Sequence, residues 1–185
     1  MKYHEWKAAL KAEIEQYDPC DEEFNAFVKA RSINGTWQVI LRNLEWLKRH
    51  NIDPGPIPSS VTHCDRWLNL EGYDHPLPEG FTHCGGSLYL SGYDHPLPEG
   101  FTHCGGLFLW GYDHPLPKSF THCGGSLFLR YYKHPLPKSF THCGGRLDLF
   151  GYNHPLPETF THCGGNLYLQ GYSHPLPEGF QGGRK

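Results

Sequence analysis

Two residue types recur in this chain in a pattern that could do chemistry. A Thr-His-Cys triplet appears six times, with its histidine at His63, His83, His103, His122, His142 and His162 and its cysteine one residue later. A second histidine opens a His-Pro-Leu-Pro motif at His75, His95, His114, His134, His154 and His174. Cysteine with histidine makes a nucleophile and its base, and both are zinc ligands. Multiplicity argues against catalysis, because a catalytic centre is one constellation and six near-identical dyads would be six half-sites. Geometry argues further. Neighbours on an extended strand point to opposite faces, so the His83 ring does not reach the Cys84 sulfur. The same alternation separates the ligands of a zinc ion, which must converge within ~2.3 Å of one point. Disulfides between copies are disfavoured, since stacked residues of a parallel ladder lie ~4.8 Å apart and disulfide Cβ atoms sit at roughly 3.8 Å. What remains is packing. Cysteine is a small, readily buried hydrophobe, and a buried histidine can hydrogen-bond corner carbonyls. The expectation is therefore no catalytic residue, no metal ligand and no cofactor, with zinc binding by the His and Cys ladders as the alternative.

The elements that carry these residues follow from the spacing. The Thr-His-Cys triplets are 20, 20, 19, 20 and 20 residues apart. A period near 20 is the signature of a solenoid in which each copy is one coil. The short step lies in "GGLFLW", which lacks the polar residue of "GGSLYL". "SLYLS" alternates as a half-buried strand does, so Leu88/Leu90, Leu127/Leu129, Leu147/Leu149 and Leu167/Leu169 point inward. "HPLP" lacks two amide donors and is read as an extended corner.

Residues 1–50 read as helical. Trp6, Leu10 and Ile14 lie four apart. Asp21 is read as the N-cap of a second helix with Phe24, Phe27 and Val28 on one face, and Thr36 as the N-cap of a third with a Val39, Ile40, Leu44 and Leu47 stripe. The division is thus a helical cap or partner domain over 1–50, a Pro-rich connector over 51–60, the solenoid over 61–180 and a tail over 181–185. The fold class is an α+β repeat protein, a helical cap followed by a six-coil leucine-rich-repeat-like parallel β-solenoid.

Composition bounds the partners. The net charge is −3, which disfavours binding driven by phosphate contacts. No apolar run approaches membrane-spanning length. The N-terminal stretch is charged throughout and the seven cysteines contain no C-x-x-C, so a reduced, cytoplasmic setting is expected.

The L-x-L strand followed by Leu-Pro at a period of 20 resembles bacterial leucine-rich repeats with an L-P-x-L-P corner. "LPEGF…GGSLYLSG" is similar to the shorter Gly-Gly/L-x-L repeats of bacterial and phage proteins. The resemblance implies a solenoid, with valine in the relatives where cysteine stands here and isoleucine or leucine where the His-Pro-Leu-Pro histidine stands. The asparagine after L-x-L-x-x is replaced by Tyr73, Tyr93, Tyr112, Tyr132, Tyr152 and Tyr172, so an asparagine ladder is absent. The resemblance also implies that the strand face is the ligand surface.

Identical positions build the scaffold, and the positions that differ are free to act. On the outward strand face these include Tyr89, Phe108, Trp110, Phe128, Arg130, Phe150 and Tyr168, the composition of an interface hot spot. The alternative is that they cover one another or lie under the helices. Residues 65–113 are acidic apart from Arg66, whereas Lys118, Arg130, Lys133, Lys138 and Arg146 form a basic middle. The functional expectation is a non-catalytic monomer or weak homo-oligomer that binds another protein, by analogy a phage or bacterial antagonist of a machine such as a defence nuclease. No direct nucleic-acid or membrane partner is expected. An acidic nucleic-acid mimic is a further alternative.

Overall fold

The computed structural model describes residues 2–182. Helices α1 (Tyr3–Ile14), α2 (Asp21–Lys29), α3 (Ile33–Arg42) and α4 (Leu44–Arg49) precede a parallel β-solenoid of about six turns. Among the described residues no helix is long and apolar enough to cross a membrane.

Two ladders of short parallel strands run along the solenoid. One joins the His-Cys pairs through β1 (His63–Cys64), the start of β3 (His83–Tyr89) and β4 (His103–Phe108), β5 (His122–Cys123), β7 (His142–Cys143), β9 (His162–Cys163) and β11 (Gln181–Gly182). The other joins the L-x-L segments through β2 (Leu68–Asn69), the ends of β3 and β4, β6 (Leu127–Phe128), β8 (Leu147–Asp148) and β10 (Leu167–Tyr168). Like pairs with like: His63 with His83, Cys64 with Cys84, Leu68 with Leu88. Each coil therefore adds the same volume to the same layer. Phe81, Cys84, Leu88 and Leu90 are fully buried in one coil, as are Phe120, Cys123, Leu127 and Leu129 in another.

Successive coils approach each other closely at the Gly-Gly pairs. A Cβ on Gly144 would lie 2.1 Å from the Gly124 carbonyl oxygen, and one on Gly164 would lie 2.3 Å from that of Gly144. Only the first coil carries side chains here, Asp65 and Arg66, because no coil precedes it. Helix α3 covers it instead. The Gln38 amide donates to the His63 carbonyl at 2.7 Å and accepts the Asp65 N–H at 3.0 Å. One side-chain amide thereby satisfies a strand edge that is otherwise bare. The helices and the solenoid share one apolar core that runs from Leu10 through Trp37 and Leu41 to Leu167.

The tyrosines do the work expected of an asparagine ladder. Each hydroxyl reaches the Pro-rich corner of the preceding coil. Tyr132 accepts the Leu116 N–H at 2.9 Å and donates to the His114 carbonyl at 2.9 Å. The same device shows what the segment read as a connector is. Tyr73 accepts the Ile57 N–H at 3.0 Å and donates to the Gly55 carbonyl at 3.1 Å. Ile57 and Val61 are buried in the places that Leu77 and Phe81 hold one coil on. Asp53–Pro58 is thus built as a corner of the stack. At the other end, Gln181 and Gly182 of the expected tail pair with β9, and the rest of that tail, 183–185, lies outside the described residues.

The helices differ from expectation at their caps. The N-cap of α3 is Ser32, whose Oγ accepts the Gly35 N–H at 3.1 Å, so Asn34-Gly35 lies inside the first turn. Thr36 is buried, and its hydroxyl is 2.7 Å from that of Tyr3. Cys20, not Asp21, occupies the N-cap of α2. Val28 faces solvent, while Phe27 is buried. The third helix breaks at Asn43, whose amide donates to the Val39 carbonyl and to Glu23.

Candidate binding face

The outward side of the second ladder carries one residue per coil between its leucines. Tyr89, Phe108 and Phe128 stack there, with ring centroids 4.4 and 4.6 Å apart and planes within 15°. The next rung supplies Asp148 instead of a ring, and Arg146 fills the gap. Its guanidinium lies 5.1 Å from the Phe128 centroid and 3.9 Å from that of Tyr168. Cation–π contacts thus carry the stack across the coil that lacks an aromatic.

Asp148 is only 1% exposed, and three donors hold it: Arg146 at 2.6 Å, Arg130 Nε at 3.1 Å and the Phe150 N–H at 3.1 Å. Burial pushes its carboxyl up, but the Phe150 amide and the two arginines outweigh that and keep it below the usual carboxylate range. Arg130 in turn lies over the Phe150 ring at 5.5 Å, with its side chain 54% exposed. Leu167, Tyr168, Leu169 and Gln170 continue this cluster into a shallow hollow.

Beside the stack, Trp110 and Tyr131 project into solvent, 72% and 62% exposed. Tyr131 occupies a turn position that is glycine in the other coils, at Gly72, Gly92, Gly111, Gly151 and Gly171, all with positive φ. Tyr131 itself has φ 55°, a conformation that costs a residue with a Cβ about 1–2 kcal/mol. Its ring packs edge-on against Phe150, with centroids 5.3 Å apart.

Of the residues singled out from sequence, Tyr89, Phe108 and Phe128 form one stack, and Arg130 and Phe150 form a second contact pair. Tyr168 joins the stack only through Arg146, and Trp110 stands beside it. Sequence reasoning missed Arg146 and Tyr131 as parts of the face. The signal for Tyr131 was present, in "RYYK" where the other coils read Gly-Tyr.

The His-Cys pairs divide as alternation requires. Cys64, Cys84, Cys104, Cys123, Cys143 and Cys163 are buried, and the cysteines are free thiols. The Cys84 thiol donates to the Arg66 carbonyl at 3.0 Å and the Cys143 thiol to that of Gly125 at 3.1 Å. The neighbouring Cys123 thiol and burial push Cys143 up to about 12. The six repeat thiols are buried packing groups. The triplet histidines lie on the opposite side, half-exposed except for exposed His162. The His-Pro-Leu-Pro histidines are also half-buried, not fully buried, because the corner leaves one ring face open. His95 and His134 place Nε2 3.0 Å from carbonyls of the preceding coil. His114 has no such partner; it lies within the 19-residue step from His103 to His122. Among the described residues no group of three or more His, Cys, Asp or Glu side chains converges as a metal site.

No protein-family model matches the chain, and neither the curated proteins nor the solved structures give a significant match.

Proposed function

We propose that the protein is a non-catalytic binding module that docks another protein on the strand face of coils two to five. One observation carries the reading: Tyr131 is held at φ 55° and left 62% exposed, in a turn that the other coils fill with glycine. A strained, exposed aromatic amid Trp110, Arg130 and Phe150 is costly for folding alone, and such outliers collect at functional surfaces. Trp, Tyr and Arg are also the residues that dominate interface energies. Arg130 spends only Nε on Asp148, so its outer amines are free for a carboxylate of the partner. The likeness to bacterial and phage repeats makes inhibition of the bound protein the expected consequence, with a defence nuclease as one target class.

The test begins with affinity capture and mass spectrometry, followed by titration of the recovered partner. Trp110→Ala/Arg130→Ala should weaken binding by roughly 30-fold or more, the equivalent of ~2 kcal/mol, with the folded circular dichroism spectrum retained and the thermal midpoint lowered through the loss of one donor to Asp148. Unchanged affinity in this folded double variant would shift the contact to the N-terminal helices.

A further inference from the structure

We propose that the outward column of Thr-His-Cys imidazoles is a linear site for divalent transition-metal ions of the zinc class, each ion held between histidines of adjacent coils. This column is separate from the binding face and does not depend on it.

The rings of His63, His83, His103, His122 and His142 follow one another at 5.0, 4.9, 4.9 and 4.9 Å, with planes within 11°. Their threonines set the tautomer. The hydroxyls of Thr82, Thr102, Thr121 and Thr141 bond the threonine carbonyl of the preceding coil at 3.2, 3.2, 3.1 and 3.0 Å. A carbonyl only accepts, so each hydroxyl proton is committed there. The same hydroxyl oxygens lie 3.0, 2.8, 3.1 and 3.2 Å from Nδ1 of His83, His103, His122 and His142, and can only accept from those rings. Nδ1 therefore carries the hydrogen, and Nε2 presents a lone pair to the solvent side. That is the arrangement a metal-ligating imidazole needs, with its other nitrogen fixed by an outer hydrogen bond.

Four of the six His-Pro-Leu-Pro histidines have the opposite tautomer, while His75 Nε2 faces the Asp53 carboxylate at 3.1 Å and His114 Nε2 is buried without a partner. Nε2 of His95, His134, His154 and His174 meets a carbonyl at 3.0, 3.0, 2.6 and 3.2 Å, so it carries the hydrogen and is not free to ligate. The six repeat cysteines are buried on the opposite side of the strand. Only the outward column qualifies, and it does so with two imidazoles per ion. Zinc–nitrogen bonds of ~2.0–2.1 Å span about 3.4 Å between tetrahedral ligands. The ring planes are nearly parallel, with centroids 4.9 to 5.0 Å apart, so two Nε2 lone pairs meet on one ion when the half-exposed rings tilt towards each other. Water completes the shell. At the first coil Asp65 Oδ1 lies 3.1 Å from His63 Nε2, so that nitrogen carries a hydrogen and the column of free Nε2 atoms begins at His83.

The experiment is a calorimetric titration of zinc into chelator-stripped full chain at pH 7.5. Binding of about two or more ions at micromolar affinity is expected. His83→Gln/His103→Gln/His122→Gln should weaken it at least ~10-fold, and His95→Gln/His134→Gln/His154→Gln should leave it unchanged. Lowering the pH should weaken binding, because protons compete with the metal for the same Nε2 lone pairs. Should the first triple variant lose its circular dichroism signal, His103→Gln alone splits the column and should lower the stoichiometry. Absence of binding up to about 1 mM zinc, or equal binding in the folded outward-column variants, overturns the proposal.

Discussion

The Tyr93 hydroxyl sits between two backbone groups of the preceding corner, accepting the Leu77 N–H at 3.0 Å and donating to the His75 carbonyl at 3.2 Å. The prolines on either side of Leu77 leave this corner without regular pairing, so a side chain from the next coil supplies it. Tyr132→Phe, which removes the equivalent pair at Leu116 and His114, should cost about 2–3 kcal/mol. Denaturant midpoints of the variant and the parent chain check this.

The same tyrosines make the fold sensitive to alkali. Burial pushes Tyr93 and Tyr152 up to about 12 and also raises Tyr73, Tyr112 and Tyr132. In the unfolded chain tyrosine ionises near ~10. The folded state therefore keeps protons that the unfolded state gives up, and stability falls as pH rises. It should be intact below about pH 10 and decline as pH approaches about 12. Tyrosinate absorbance rising together with loss of circular dichroism is the expected signature. Full tyrosine ionisation with the fold intact would contradict it.

Two glycine classes should respond differently to alanine. Gly144→Ala drives a Cβ into the Gly124 carbonyl and should cost about 2–3 kcal/mol. Gly92→Ala meets nothing within 4 Å and should cost only the left-handed conformation, about 1–2 kcal/mol. Thermal midpoints of the two variants decide the order.

Tyr131→Gly should separate stability from binding. Relief of the left-handed strain stabilises by about 1 kcal/mol, while loss of the exposed ring weakens partner binding several-fold. A midpoint that falls sharply with binding unchanged would mark Tyr131 as a packing residue.

The repeat made most of the solenoid legible. Because Phe81, Cys84 and Leu88 recur at one spacing, a single coil's reading of inward and outward positions holds for all. The first corner was hidden, because Pro56-Ile57-Pro58 keeps only the proline pair and its apolar centre. The α3 cap was misread because Asn34-Gly35 is turn-prone in isolation, whereas packing of Trp37 and burial of Thr36 draw it into the helix. The face was visible in its aromatics but not in Arg146, whose role depends on how far a side chain reaches between rungs.

The Tyr-to-corner bond has a kinetic consequence. Each spans only 15 or 16 residues, and the threonine hydroxyl bonds span 19 or 20. An 11-stranded parallel sheet is thus assembled without any pairing between distant parts of the chain. Closing a loop of this length again and again replaces one large entropic barrier with several small, equal ones. Contact order stays low for a β protein, and folding is expected to run as a zipper from coil to coil, faster than in sandwiches or barrels of equal length.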